Sequence, residues 1–190
     1  MKQLLLAIAL VVLSLLSNVA LAAGSSVPLD KANYDLTDQA SLQNGARIFM
    51  NYCLGCHQQQ YQRYSRTFED LGVQAELGQE YLQFTGEKVT DYITTPMPQD
   101  AAATWFGAPP PDLTLVARVR GADWLYTYLR TFYVDDSKTI CVNNLVFPNV
   151  GMPHVLQELQ GTPRIAYEDA LIDGEVVPQY VGIKSDGDGE

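Results

Sequence analysis

Cys53-Leu54-Gly55-Cys56-His57 is the stretch of this 190-residue chain whose reading decides the rest. Two cysteines three positions apart, followed at once by histidine, form the pattern by which a protein bonds a haem through two thioethers and offers an imidazole to its iron. The spacing has a physical reason. At the end of a helix three residues make nearly one turn, so both sulfurs face the same porphyrin edge and the next ring swings under the metal. Gly55 lets a macrocycle come close to the backbone. Three other uses compete for the same residues. A thioredoxin-like dithiol needs a βαβ setting that the flanks lack, and it gives His57 no task. A zinc site could draw on Cys53, Cys56, Cys141 and His154, but it leaves His57 a coincidence. As small buried hydrophobes, the cysteines would need no histidine beside them.

Upstream, Leu42, Ala46, Phe49, Met50 and Cys53 recur along one helical face. This predicts an amphipathic helix, N-capped by Ser41, that runs into the motif with its apolar stripe against the core. Further back, Lys2 precedes the apolar run Leu4 to Leu16 and the small-residue pattern Ala20-Leu21-Ala22. That is a secretory signal peptide, residues 1–22, with cleavage expected after Ala22. Its apolar run is shorter than the ~20 residues a bilayer span needs, although no charge follows it until Asp30, and an uncleaved anchor is the alternative. Export implies an oxidising compartment, where three cysteines cannot all pair. The full pentapeptide behind an export signal therefore favours one covalently bound haem c. It leaves Cys141 without an internal partner, either as a buried thiol or as a labile one. A net charge of -10 excludes nucleic acid as a partner and would draw a basic protein.

An electron-transferring iron needs a second axial ligand, and methionine raises its potential relative to histidine. Met97, Met152 and His154 all lie in Pro-rich, loop-like surroundings, and spacing alone does not choose among them. Met50 belongs to the helix face and reads as core. An open sixth position would instead make a haem enzyme or gas sensor. Arg118 and Arg120 are the candidate donors to anionic propionates. Pro109-Pro110-Pro111 cannot be helix interior and reads as a rigid loop lining the haem pocket. Leu125, Tyr128, Leu129 and Phe132 predict a second amphipathic helix over residues 122–134.

Asn143 to His154, with Val150-Gly151-Met152-Pro153 inside it, resembles the ligand segment of proteobacterial cytochrome c1. So do Trp105 to Tyr133, including Pro110-Pro111-Asp112-Leu113 and Ala117 to Tyr126, and Arg63-Tyr64-Ser65-Arg66 with Glu69-Asp70-Leu71-Gly72. The likeness runs from about Leu42 to Gly161. It implies a mainly α, cytochrome c-like haem domain with long loops, with Met152 opposite His57 and Arg120 on a propionate. It also implies an electron carrier that takes one electron from a Rieske iron-sulfur protein and passes it to a cytochrome c. The chain would work beside cytochrome b on the periplasmic side of the inner membrane, in respiratory complex III, and would break no substrate bonds itself. The alternative is another exported single-haem c-type cytochrome outside that complex.

The organisation expected is a signal peptide (1–22), an N-terminal extension (23–38), the haem domain (39–178) and a flexible polar tail (179–190). Members of the family normally close with another helix and a transmembrane anchor. After Gly161 no apolar run approaches a bilayer span. The expectation is therefore a domain that lacks both elements and reaches the membrane through its complex. Its first helix would keep part of its apolar stripe uncovered, with weakened stability.

Overall fold

The computed structural model describes residues 27–161, 163–172 and 175–185; the signal peptide at 1–22 lies outside them. The first helix, α1 (Gln39–Ile48), is capped by Asp38, whose carboxylate accepts the Ser41 N–H at 3.0 Å. Ser41, expected as the cap, sits inside the first turn. Asp35 takes the Thr37 N–H at 2.8 Å and turns the chain early enough for Asp38 to reach the orphan donor. The helix then widens into a π turn, Phe49–Cys53, where the Leu54 N–H reaches back to the Phe49 carbonyl at 3.1 Å. No residue of α1 itself is buried; Met50 is the first that is.

The chain doubles back through β1 (Gln59–Arg63), α2 (Tyr64–Asp70), α3 (Ala75–Tyr81) and β2 (Tyr92–Ile93). β1 and β2 pair antiparallel, with Gln59 opposite Ile93, Arg63 opposite Tyr92 and an irregularity between. Met50, Leu54, Tyr64, Phe68, Leu82 and Ile93 close on one another as a core. Each large apolar side chain there stabilises the fold by about 1.5–3 kcal/mol. Tyr64 is fully buried, and its hydroxyl is satisfied by Thr85 Oγ1 at 2.7 Å. Gly78 lets α3 lie against the Phe68 ring, because a Cβ there would fall 2.5 Å from a ring carbon.

The second half contains α4 (Gln99–Phe106), α5 (Val116–Arg120), α6 (Ala122–Arg130), β3 (Phe132–Val134), β4 (Val142–Asn144) and α7 (Gln157–Gln160), then β5 (Pro163–Ile172) and β6 (Glu175–Ser185). The helix expected over 122–134 stops at Arg130. Phe132, Tyr133 and Val134, β-branched or aromatic, pair as a strand with Asn144, Asn143 and Val142. Among the described residues there are thus seven α-helices and three two-stranded antiparallel sheets, so "mainly α" describes only part of the fold. The long β5–β6 hairpin is the largest departure from expectation. Gln179 to Ser185, expected as a flexible tail, are strand residues paired with β5. No helix among the described residues is long and apolar enough to cross a membrane.

The segment before α1 is strapped to α6. Thr127, 2% exposed, accepts the Asp30 N–H at 2.9 Å and donates to the Asp123 carbonyl at 2.7 Å. The Asp123 carboxylate takes the Ala32 N–H at 3.0 Å and the Lys31 ammonium at 2.7 Å. The Lys31 hydrogen bond, then the Ala32 N–H, hold the Asp123 carboxyl below its usual range. A depressed carboxylate stabilises the docked strap above its unfolded pKa of about 3.9 and loses that effect as pH falls through the folded value. Thr127→Val should cost about 1 kcal/mol in urea unfolding. The same variant should speed proteolytic cleavage within residues 27–38 at neutral pH, as acid should in the wild type; equal cleavage rates in both would contradict the strap.

Candidate functional site

The pentapeptide begins where the π turn ends. The Cys53 carbonyl accepts the N–H groups of both Cys56, at 3.0 Å, and His57, at 2.8 Å, so the loop folds over a single oxygen. Leu54, 2% exposed, pins it to the core. Cys53 and Cys56 are free and half-buried. Burial pushes both thiols up, with the neighbouring Cys56 adding to the effect at Cys53, opposite to the depressed thiolate that a redox dithiol requires. A Cβ on Gly55 would meet open space, so the protein's own packing does not require glycine there.

His57 is buried at 8% exposure, and its Nδ1 lies 2.9 Å from the Pro111 carbonyl. A carbonyl only accepts, so Nδ1 carries a proton and Nε2 is the nitrogen left to act as a ligand. That is the form a metal-ligating imidazole takes, with its second nitrogen oriented by a backbone oxygen. The Pro109–Pro111 loop is held in place for this. Leu113 N–H donates to the Gln58 carbonyl at 2.8 Å, and the Asp112 carboxylate accepts from Gln60 N–H at 2.8 Å and Thr114 N–H at 3.0 Å. Burial works to raise the Asp112 pKa, but these donors outweigh it and leave the group below its usual value.

Met152 is half-buried in the loop between β4 and α7, and its sulfur accepts the Tyr128 hydroxyl at 3.3 Å. Tyr128 stacks on Trp124 at 5.0 Å and meets Phe132 and Phe147 edge-on. Burial pushes its phenol up to about 12. Two asparagines shape the loop. Asn144, 1% exposed, accepts the N–H groups of Val146 and Phe147 at 2.9 and 3.0 Å and donates to the Tyr128 carbonyl at 2.7 Å. Asn143 accepts from Asn144 and Asn149 and donates to Asp135 at 2.9 Å. Gly151 allows the loop to pass α4, where a Cβ would come 3.0 Å from the Phe106 carbonyl.

The other candidate ligands have different surroundings. Met97 is half-buried, and its N–H donates to Thr95 Oγ1, which in turn donates to the Gly55 carbonyl at 3.0 Å, so its loop is tied to the motif. His154 is buried and stacked flat on Phe132 at 5.2 Å, and burial lowers its pKa. Arg118 and Arg120 are exposed, with the Arg120 guanidinium 4.9 Å over the Trp124 ring. Cys141 is exposed, in a left-handed conformation between β3 and β4. Cys53, Cys56, Cys141 and His154 do not gather; no cluster of three or more such ligands occurs among the described residues.

The sequence reading missed Tyr128 as a partner of Met152, the Pro111 carbonyl as the anchor of His57, and the work of Asn143 and Asn144. The one available signal was the pair of adjacent asparagines in an otherwise apolar run, since buried amides must be satisfied.

A profile of the Cytochrome C1 family matches residues 31–174. The chain is 51% identical over 164 residues to cytochrome c1 of Allochromatium vinosum, covering 86% of this chain and 67% of that one. It is 49% identical over 143 residues to the ammonia monooxygenase gamma subunit of Nitrosomonas europaea, covering 75% of this chain and 61% of that one.

Asn144→Leu keeps the branched shape but orphans two backbone donors and one carbonyl. The expected loss is about 3 kcal/mol, read as a lower urea midpoint. A change below about 0.5 kcal/mol would show that the loop is not held this way.

Proposed function

This chain belongs to the cytochrome c1 family, and from that premise we propose that it is the haem-carrying, electron-transferring subunit of a quinol:cytochrome c oxidoreductase. Cys53 and Cys56 would hold a c-type haem by thioethers, and His57 Nε2 and Met152 would be the axial ligands of its iron. When bound, the haem supplies the one-electron couple. What the chain's own residues do is distinct. The Pro111 carbonyl fixes the His57 tautomer, Asn143 and Asn144 hold the loop of Met152, and Arg120 stands as a charged donor for a propionate. The observation that carries the reading is the 2.9 Å contact that commits His57 Nδ1 to the Pro111 carbonyl and leaves Nε2 as the ligating nitrogen, beside two unpaired cysteines of the attachment motif.

The partners in this reading are a Rieske iron-sulfur protein as donor, cytochrome b as neighbour and a cytochrome c as acceptor, on the periplasmic side of the inner membrane after export by residues 1–22. A charge of -10 suits electrostatic steering of a basic acceptor. A second reading, an exported single-haem cytochrome outside complex III, is favoured by one observation: the Nitrosomonas relative carries the name of a monooxygenase subunit.

Matured protein should give one haem per chain in a pyridine haemochrome assay, and its colour should stay with the protein through acid-acetone extraction. Met152→Ala should abolish the methionine-to-iron charge-transfer band, whereas an unchanged band would move the ligand to Met97. Carbon monoxide binding to the native reduced protein would replace the carrier with an open-site haem protein. Co-purification with cytochrome b and a Rieske subunit from membranes separates the two carrier readings. Electron transfer to a basic cytochrome c should slow with added salt, and a flat response would remove the steering.

A further inference from the structure

Tyr128 donates its hydroxyl to the Met152 sulfur at 3.3 Å, and no part of the ligand assignment accounts for that contact. A thioether sulfur has two lone pairs, so it can accept a proton with one and bind a metal with the other. The phenol is held for this by its surroundings. Its ring stacks on Trp124 with an interplanar angle of 8°, meets Phe132 at 67° and Phe147 at 84°, and its own carbonyl is bound by Asn144. Four neighbours therefore fix where the O–H points, and little ordering cost is left when it bonds to sulfur.

We propose that Tyr128 is a positioning residue for the axial thioether: it selects one orientation of the Met152 sulfur and withdraws electron density from it. The proposal rests on the reading of Met152 as the sixth ligand. Ferric iron depends more on donation from sulfur than ferrous iron does. A hydrogen bond that drains the sulfur therefore favours the reduced state and raises the potential. The effect is that of one modest hydrogen bond, a factor of about two to five in the reduced-over-oxidised equilibrium.

The test uses holoprotein. Tyr128→Phe keeps the ring and its stacking and removes only the hydroxyl. It should lower the reduced-over-oxidised equilibrium by that factor, read as a lower potential, and broaden or double the Met152 methyl resonance of the reduced protein, as the sulfur samples a second orientation. Thr127→Val, which loosens the same helix but leaves the hydroxyl and its four neighbours in place, should reduce stability and leave the potential unchanged; an equal shift in both variants would show mere packing and overturn the proposal. Should Tyr128→Phe fail to mature, the reduced wild-type protein still decides. A slowly exchanging phenol proton should show a nuclear Overhauser contact to the Met152 methyl, and a missing contact would overturn the role. Met152→Ala separates the two claims. If it keeps the wild-type methyl signal, the ligand assignment falls. If it loses that signal while Tyr128→Phe retains the wild-type potential, only the role of Tyr128 falls.

Discussion

A peptide carbonyl has no proton to give, and the site depends on that constraint. Because Pro111 faces His57 Nδ1 with an oxygen, the imidazole has one tautomer and one ring orientation, and its other nitrogen is directed away as a base. The proline run makes this contact dependable, since three fixed φ angles leave the carbonyl few alternatives. The same loop leads into α5 and α6. Thus the segment that aims the histidine also sets the start of the helix on which Trp124 and Tyr128 ride.

Two kinds of material hold the halves of the molecule. Around the attachment motif the core is apolar and packed, with Met50, Leu54, Tyr64, Phe68, Leu82 and Ile93 in mutual contact. Around Met152 buried Val146, Val150, Leu156 and Phe132 are mixed with polar Thr127, Thr131, Asn143, Asn144 and His154. Hydrophobic contact tolerates small shifts, whereas a satisfied amide network defines one arrangement and penalises others. In the role proposed for Met152, a loop that delivers a single sulfur atom is better served by the second.

Much of this was legible in the residues, and the failures are specific. The pentapeptide announced its chemistry because two cysteines and a histidine must agree in type and spacing at once, and the apolar spacing from Leu42 located the helix before it. The cap went one turn wrong because Ser41 and Asp38 are both good caps, and only the turn at Asp35 decides between them. The strap was invisible because Asp30 and Thr127 are 97 residues apart, and nothing in either neighbourhood announces the other. The hairpin was overlooked although Asp173-Gly174 between two strand-prone runs is a recognised turn signal. The polar, Gly-rich end from Lys184 to Glu190 outweighed that signal and led to the expectation of a tail from 179. Met152 was found by likeness, but its hydrogen bond to Tyr128 requires two loops and a helix to be placed in space.

The widened turn at Phe49–Cys53 has a wider meaning for how such chains can vary. In a plain α-helix each residue advances the face by about 100°. One wide turn therefore sets the angular phase between the half-buried stripe of α1 and the two sulfurs that follow. A one-residue gap within 49–53 would let regular bonding run through and swing the thiols round to another side of the rod. Loops elsewhere in the molecule can lengthen or shorten without such rotation, so divergent members of the lineage should place their insertions there and keep this short interval at constant length.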